Sequence, residues 1–420
     1  MADLRPDSAA TRSTLNGLKE SQEFTMTTSC RTEEPISDRS GPAVLIGVTP
    51  AEGPDTLQRL GIPFIWVIDT EDEEPAPVQG AIQVLRAPFY DDPLSVLRLP
   101  LPGSVCGVFS FTEFGSWPAA LLSEALALPT VPSRAVLRTR NKLLMRRALT
   151  SQFNKPAFGI AGHDEPADED FPLIVKPVEG TASRGVELLA DHSTWRARKG
   201  DLNGLMWEQY IPGPEYSVEA VSFAGEHRIL AITAKQTTGA PHFVEKRHEA
   251  PAPLAPDDAM EIHDCVIRCL DALEVTLGAT HTEVKLNNGR ATVIETHTRG
   301  GGDRIPLLTK LVTGLDQYEL AVQSVVPWAE VKERAPVHAR AAVHYFPWEE
   351  VTIDSIESAD ECRSLDGVAE IRLGVEGGET VPRWRHSHDR PGYVVAGGYD
   401  AEDLDQRIEA VTRQLRVTFH

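Results

Sequence analysis

The chain has 420 residues, 41% of them hydrophobic and 25% charged, which is ordinary for a globular protein of two or three domains. Its 41 basic and 62 acidic residues give a net charge of −21, which argues against nucleic acid or an anionic membrane as the main partner. No apolar run approaches the roughly 18 residues of a membrane helix, and no signal-peptide core appears near the first residue. Five scattered cysteines fit a reduced cytoplasm better than a disulfide framework. We therefore expect a cytoplasmic protein.

The first part of the chain predicts a tail and a small domain. Residues 1–40 are polar and show no sustained period, so we expect them to be mostly disordered. Short apolar runs at 43–48, 64–68, 82–85 and 107–111 then predict a parallel α/β domain over 41–135. Neither G-x-G-x-x-G after the first strand nor G-x-x-x-x-G-K-[ST] anywhere occurs, which argues against a dinucleotide fingerprint and a P-loop.

The next segment combines a basic helix with a loop of small residues. The pattern over 138–150 predicts a helix, whose Lys142, Arg146 and Arg147 are most simply a solvated charged face. A strand follows and ends at Lys176, and a loop with Gly180 and Ser183 leads to a second strand. Backbone amides of such a loop can wrap an anion, although an ordinary hairpin loop is the better explanation when this segment is taken alone.

A later hairpin places two carboxylates together. Strand-like runs at 281–286 and 291–297 flank an Asn-Asn-Gly turn, which predicts a β-hairpin. Side chains alternate along each strand, so Glu283 and Glu295 can point into one pocket, where oxygen ligands suit Mg²⁺. Arg299 and three glycines follow, which together suggest phosphoryl chemistry. The alternative is a surface hairpin whose carboxylates face water.

The order of these motifs resembles a known family. Lys142, VKPVEGTASRGV, EQYIPGPEYSVE, HTEVKL and VIETHTRGGGDRI occur in the order typical of the ATP-grasp superfamily. More narrowly, the chain resembles the carboxylate–amine ligases that include bacterial L-amino acid (dipeptide) ligases. The resemblance implies an α/β (α+β) ATP-grasp fold. It would consist of an N-terminal pre-ATP-grasp domain over 41–135, an ATP-grasp domain of two subdomains over 136–335, and a C-terminal lobe over 336–420 that completes the substrate site.

The resemblance also implies roles for individual residues. Residues that would bind ATP are Lys142, Lys176, Gly180, Ser183, Glu208, Gln209, Tyr210, Ile211 and Glu215, with 208–211 as the hinge and Glu215 on the ribose. Glu283, Glu295 and His297 would bind Mg²⁺, as two ions for which Mn²⁺ can substitute; His297 stands where many relatives have Asn. Arg299 would be catalytic and neutralise an acyl phosphate. Residues that would bind the substrates are Glu245, His248, Arg299 and Gly302.

The reaction implied is ATP-dependent amide formation between amino-acid-type substrates through an acyl phosphate, with release of ADP and phosphate. Small carboxylates and amines would then be the partners, with no nucleic acid and no membrane, and a homodimer remains open. Two other classes remain open as well. One is an ATP-grasp kinase or carboxylase, which would release no amide, and the other is a nucleotide-binding regulator without turnover.

Overall fold

The computed structural model describes residues 41–48, 52–149, 156–180 and 184–420. The predicted tail at 1–40 and the loop residue Ser183 lie outside these ranges. Among the described residues, no helix is both long and apolar enough to cross a membrane.

The N-terminal domain is a four-stranded parallel sheet with a core on both faces. The sheet has the order β3-β2-β1-β4, from strands β1 (Ala43–Ile46), β2 (Phe64–Ile68), β3 (Ala81–Arg86) and β4 (Val108–Phe109). Ala43 and Leu45 pack into one hydrophobic cluster while Val44 and Ile46 pack into another, as expected for a strand buried on both sides. Helices α1 (Glu52–Arg59) and α2 (Glu113–Ala125) belong to this domain. The parallel sheet predicted from the apolar runs is confirmed.

The helix predicted over 138–150 is in fact two helices, α3 (Ser133–Arg140) and α4 (Lys142–Ala148). Asn141 separates them, because its backbone is extended and its Oδ1 accepts a hydrogen bond from the Leu144 amide at 3.0 Å. The predicted solvated charged face is wrong for Lys142 and Arg146, which are only 7% and 2% exposed. The break turns the first residue of α4 toward the interior of the protein.

A small antiparallel sheet follows, built from β5 (Phe158–Ile160), β6 (Leu173–Lys176), β7 (Glu187–Leu189) and β8 (Met206–Gln209) in the order β5-β8-β6-β7. Helix α5 (His192–Arg198) contributes the fully buried Trp195 to the core beneath it. The predicted strand pair around the small-residue loop is therefore present as β6 and β7.

The largest sheet has eight strands in the order β13-β12-β9-β10-β11-β14-β18-β16. Its strands in chain order are β9 (Glu215–Phe223), β10 (Glu226–Thr237), β11 (Glu245–Ala250), β12 (Gly278–Asn287), β13 (Arg290–His297), β14 (Arg340–Tyr345), β16 (Val368–Leu373) and β18 (Gly392–Gly398). Two strands between them in the sequence, β15 (Val351–Glu357) and β17 (Thr380–Val381), belong to a different sheet. The helix α6 (Pro256–Leu273) buries Cys265 and Cys269 in the core against the sheet. Helices α7 (Ile305–Thr313) and α8 (Gln317–Val325) follow β13.

The predicted hairpin is the pair β12 and β13. Its turn has Asn288 at φ 51° and Gly289 at φ 70°, the left-handed pair that a two-residue hairpin turn requires. The C-terminal segment adds β14, β18 and β16 to the same sheet, while β15, β17 and β19 (Arg416–Phe419) form a separate small one with α9 (Ala359–Arg363) and α10 (Ala401–Gln414) nearby in the chain. The segment after 336 therefore extends the central sheet, and the exact domain boundaries stay predictions.

Candidate active site

A cleft of about 160 Å³ lies between the small sheet and the large sheet. Predicted site residues that line it are Lys142, Lys176, Gly180, Glu208, Gln209, Tyr210, Ile211, Glu215, Glu245, Glu283 and Glu295. His248, His297, Arg299 and Gly302 are not part of its lining, and contacts of the first three are described below. The described part of the chain thus brings most of the predicted residues into one place.

The carboxylates of Glu283 and Glu295 face each other across the hairpin, because the two residues are direct partners in the β12–β13 register. Each is next to a lysine: Lys142 Nζ is 3.1 Å from Glu295, and Lys235 bonds Glu283. Burial alone would raise the pKa of both carboxyls, but the charges of these lysines lower both. The pair is therefore ionised and ready to bind cations.

The donor set of the hairpin suits Mg²⁺. Among the described residues, no three His, Cys, Asp or Glu side chains are grouped closely enough to enclose an ion by themselves. Two carboxylates would leave the other coordination positions to phosphate oxygens and water, which is how Mg²⁺ is commonly held at nucleotide sites. The residues present therefore fit an ion that binds together with a nucleotide.

Lys142 connects helix α4 to the loop of small residues. Its amide donates to the Val178 carbonyl at 2.9 Å, and its Nζ donates to the Gly180 carbonyl at 2.8 Å. Asn141 adds a side-chain hydrogen bond to Glu179 at 3.3 Å. The start of α4 therefore fixes the root of this loop beside Glu295.

Glu208 and Lys176 of the predicted ATP site form a buried triad with Arg146, whose part in it the sequence did not indicate. Glu208 is 3% exposed, and its carboxylate accepts hydrogen bonds from Arg146 Nε at 2.8 Å and from Lys176 Nζ. Burial alone would raise the pKa of Glu208, but the charges of Arg146 and Lys176 outweigh it and lower the pKa to about 2. Arg146 also donates to the Val293 and Ile294 carbonyls, so it links α4 to β13. The available signal was that Arg146 lies one helical turn after Lys142.

Lys235 is a second residue that the sequence analysis did not single out. It pairs with Glu215 across β9 and β10, and its Nζ lies 2.7 Å from Glu215, 3.7 Å from Glu245 and within bonding distance of Glu283. Burial alone would lower its pKa, but these carboxylates raise it well above the usual value. A charged lysine therefore joins the predicted ribose, substrate and metal residues.

Glu113 joins the N-terminal domain to this site. It is the first residue of α2, after the capping residue Thr112, and its Oε2 accepts hydrogen bonds from Arg299 Nε at 2.8 Å and His297 Nδ1 at 2.9 Å. Burial alone would raise the pKa of Glu113, but His297 and Arg299 lower it to about 2. His297 turns its Nε2 toward Glu295 at 3.4 Å. A carboxylate on one ring nitrogen is the usual support of a metal-bound histidine.

The glycine loop at 300–302, which follows Arg299, is hydrogen-bonded to the buried pair of Glu219 and His281. Glu219, which is fully buried, bonds His281 Nδ1 and accepts from the Gly301 amide at 3.1 Å. A Cβ at Gly301 would lie 2.7 Å from His281 Nδ1, so glycine is needed there. Burial alone would lower the pKa of His281, but Glu219 and Glu283 raise it to about 9.

The predicted substrate residues lie toward the C-terminal strands. Glu245 accepts from Ser387 Oγ at 2.9 Å, and His248 Nε2 lies 3.1 Å from Asp303, the residue after Gly302. Arg390 binds Asp303 with two hydrogen bonds, at 2.9 and 2.6 Å, and its guanidinium stacks 3.7 Å from the Tyr345 ring centre. The segment around 387–390 therefore closes this end of the site.

Comparisons with known proteins agree with the fold. Residues 199–306 match the ATP-grasp domain model, and residues 344–420 match the model of the L-amino acid ligase C-terminal domain 2. The structure superposes on the L-amino acid ligase from Bacillus licheniformis with a TM-score of 0.77, at 24% identity, covering 90% of this chain and 99% of that one.

Three curated proteins match a smaller part of this chain. An uncharacterized protein of Sinorhizobium fredii, y4rH, is 28% identical over 76% of this chain and 69% of its own length. Human carnosine synthase 1 is 23% identical over 54% of this chain, and the Bacillus subtilis alanine–anticapsin ligase is 28% identical over 48%. The match spans only 26% of the former protein and 50% of the latter.

The chain therefore contains an ATP-grasp domain, and its fold is that of the superposed L-amino acid ligase. Its C-terminal segment, residues 344–420, is similar to the C-terminal domain 2 of L-amino acid ligases. The resemblance stated from the motifs is confirmed.

Proposed function

We propose that the protein joins the carboxylate of one amino acid to the amine of another through an acyl phosphate, and releases ADP and phosphate. The observation that supports this best is the opposition of Glu283 and Glu295 in a cleft that also contains Lys142 and Lys176. Arg299 lies beside this cleft, where Glu113 orients it. Charge neutralisation for phosphates and for a reacting carboxylate is thus concentrated at one end of the cleft.

In this proposal ATP lies along the cleft. Lys142 and Lys176 contact the phosphates, the loop containing Gly180 and Ser183 covers them, and Glu215 holds the ribose hydroxyls. The hinge formed by Glu208, Gln209, Tyr210 and Ile211 reads the adenine edge. All of these residues except Ser183, which lies outside the described ranges, line the cleft.

Glu283 and Glu295 would hold Mg²⁺, as two ions for which Mn²⁺ can substitute, with His297 Nε2 as a further ligand. When bound, the metal neutralises charge on the β- and γ-phosphate oxygens. Lys142 and Lys235 neutralise the carboxylates until the metal binds. Each lysine can leave its carboxylate when the metal binds, because each has another oxygen partner. That partner is the Gly180 carbonyl for Lys142 and Glu215 for Lys235.

The chain contributes positioning and charge to the chemistry. A carboxylate oxygen of the first substrate attacks the γ-phosphorus, the bond to ADP breaks, and Arg299 holds the acyl phosphate that results. The neutral amine of the second substrate then attacks the acyl carbon. The carbon–oxygen bond breaks, phosphate leaves with that oxygen, and the amine loses a proton. Glu245 and His248 would hold the ammonium and carboxylate ends of substrates near Arg390.

The test is a panel of amino-acid pairs incubated with Mg·ATP, in which ADP and amide are both measured. A ligase forms the two products in equal amounts. ADP with a phosphorylated product and no amide would favour a kinase, and binding of ATP without turnover would favour a regulator.

Variants of Arg299 sharpen this test, because this side chain acts in the chemical step rather than in ATP binding. We expect Arg299→Ala to bind Mg·ATP normally and to lose rate on the order of 10²-fold or more. Arg299→Lys recovers little, since it lacks the planar fork. Arg290→Ala, an exposed arginine at the turn of the same hairpin, is the matched control. Loss of nucleotide binding in step with rate would contradict the role of Arg299.

A further inference from the structure

Lys285 on β12 lines the candidate active-site cleft, and none of the roles proposed above uses it. It lies two residues after Glu283, so the two side chains leave the same face of the strand. Lys142, Lys176 and Lys235 of the same lining each pair with a carboxylate. In the described part of the chain, no carboxylate forms an ion pair with Lys285, so its charge is available to a ligand.

Two aromatic rings stand beside the ammonium of Lys285 in place of a carboxylate. Its Nζ lies 4.8 Å from the centre of the Tyr210 ring and 5.8 Å from that of Phe243, distances at which a ring attracts a cation. The two ring centres are 6.3 Å apart, and both residues line the cleft. Phe243 has φ 53°, a strained backbone conformation of the kind that is retained at functional sites. The rings therefore position the charge of Lys285 without neutralising it.

Along the cleft, Lys285 lies between the proposed hinge and the opposed carboxylates. Its partner in the β12–β9 register is Glu215, the residue proposed for the ribose, and its neighbour Tyr210 belongs to the hinge. Two residues of an extended strand span about 7 Å, which is the offset of Lys285 from Glu283. When adenine is at the hinge and the β- and γ-phosphates are at Glu283 and Glu295, the ribose and the α-phosphate come between them. The anionic group that comes closest to Lys285 is then the α-phosphate.

We propose that the ammonium of Lys285 binds the α-phosphate of the nucleotide, and that the rings of Tyr210 and Phe243 position it for this contact. The inference rests on the proposed function, in which ATP lies along this cleft. A partly buried charge without a counter-ion is unfavourable, so an anion that supplies the missing partner is bound more tightly. Adenosine has the base and the ribose but no phosphate, and it gains nothing from this lysine.

Calorimetric titration with four ligands separates the phosphate contact from the rest of the nucleotide site. The ligands are ATP and ADP, both with Mg²⁺, and AMP and adenosine. Lys285→Met and Lys285→Gln both remove the charge, so that a folding defect in one leaves the other to be measured, and Lys285→Arg keeps the charge. The control is Lys246→Met, the same change at an exposed lysine on β11. Adenosine binding also reports whether each variant is folded.

We expect Lys285→Met and Lys285→Gln to weaken the binding of ATP, ADP and AMP by on the order of 10-fold each, because each loses a charge-assisted hydrogen bond. Adenosine binding stays unchanged in both variants, since adenosine has no phosphate. Lys285→Arg recovers most of the lost affinity, and Lys246→Met binds all four ligands as the unmutated protein does.

Two kinds of result overturn the contact while the ligase proposal stands. One is a loss that is as large for adenosine as for ATP, which assigns Lys285 to the shape of the hinge alone. The other is the same affinity in the Lys285 and Lys246 variants, whether both are normal or both are weakened. If the unmutated protein binds none of the three phosphorylated ligands, the proposed function fails and this inference fails with it.

Discussion

The carboxylate of Glu113 accepts a hydrogen bond from Nε of Arg299 at 2.8 Å, and the two residues lie 186 positions apart in the sequence. Glu113 begins a helix of the N-terminal domain, whereas Arg299 follows β13, the second strand of the hairpin that contains Glu283 and Glu295. Arg299 also donates from Nη1 to the Gly300 carbonyl at 2.8 Å, so its guanidinium is oriented from two sides. The N-terminal domain thus contributes to the candidate active site.

This contact predicts a defect in turnover from a change in the N-terminal domain. Glu113→Gln keeps the shape of the side chain but loses the charge that orients Arg299 and His297. We expect the rate to fall by about 10–100-fold, the range seen when a group that orients a ligand is removed. Affinity for Mg·ATP stays the same, and steady-state kinetics with equilibrium nucleotide binding measure both. Glu124→Gln, an exposed carboxylate on the same helix, is the control, and equal rates in the two variants would contradict the role of Glu113.

The opposed carboxylates predict a loss of metal response. We expect Glu283→Gln and Glu295→Gln each to remain folded and to lose turnover by on the order of 10²-fold or more, because the phosphate charge is no longer screened. Titration of Mg²⁺ at fixed ATP, followed by melting temperature and rate, tests this. Glu226→Gln, an exposed position at the start of β10, controls for the loss of one negative charge. Near-normal turnover in either variant would rule out the metal assignment.

The sequence predicted the parts of the site that depend on local pattern. The alternation and the Asn-Gly turn predicted that Glu283 and Glu295 face one pocket, and the register pairs them directly. Arg146, Lys235 and Glu113 escaped prediction because their partners Glu208, Glu283 and Arg299 are 62, 48 and 186 residues away. Such contacts depend on how helices and strands pack, and a single lysine or arginine in an apolar segment is usually solvated. The prediction of one continuous helix over 138–150 was wrong for a local reason, because Asn141 ends α3 and caps α4.

The proposed hinge at residues 208–211 predicts a preference for adenine. Glu208 and the hinge backbone would accept from the adenine amino group, whereas guanine presents a carbonyl oxygen at that edge. We expect ATP with Mg²⁺ to raise the melting temperature, since it binds the folded state, and GTP to raise it far less. Thermal unfolding at matched nucleotide concentrations provides the measurement. Equal shifts with both nucleotides would speak against the hinge.

The buried triad of Glu208, Arg146 and Lys176 predicts an acid-sensitive contribution to stability. The pKa of the Glu208 carboxyl, about 2, lies below the ordinary value of about 4.3 for a glutamate. The stabilisation by the triad is therefore present above about pH 4.3 and is lost as the pH falls toward 2. We expect Glu208→Gln to lower the free energy of unfolding at pH 7 by roughly 3–5 kcal/mol, because two buried cations lose their partner.

Urea unfolding of both proteins between pH 7 and pH 3 tests this prediction. The difference in the free energy of unfolding between the unmutated protein and Glu208→Gln is expected to be constant down to about pH 4.3 and to shrink below it. Glu187→Gln, which breaks the partly exposed pair with Arg198, serves as the control and costs at most about 1 kcal/mol. A difference that grows on acidification would contradict the assigned ionisation of Glu208.

The central claim is that the substrate carboxylate is activated as an acyl phosphate, and an oxygen label tests it most directly. When both oxygens of the donor carboxylate are ¹⁸O, the oxygen that attacks the γ-phosphorus stays with that phosphorus after the amine displaces the phosphate. The account predicts one ¹⁸O atom in inorganic phosphate for each amide formed, and none in ADP. Label recovered in AMP, or amide formed without label in phosphate, would contradict it.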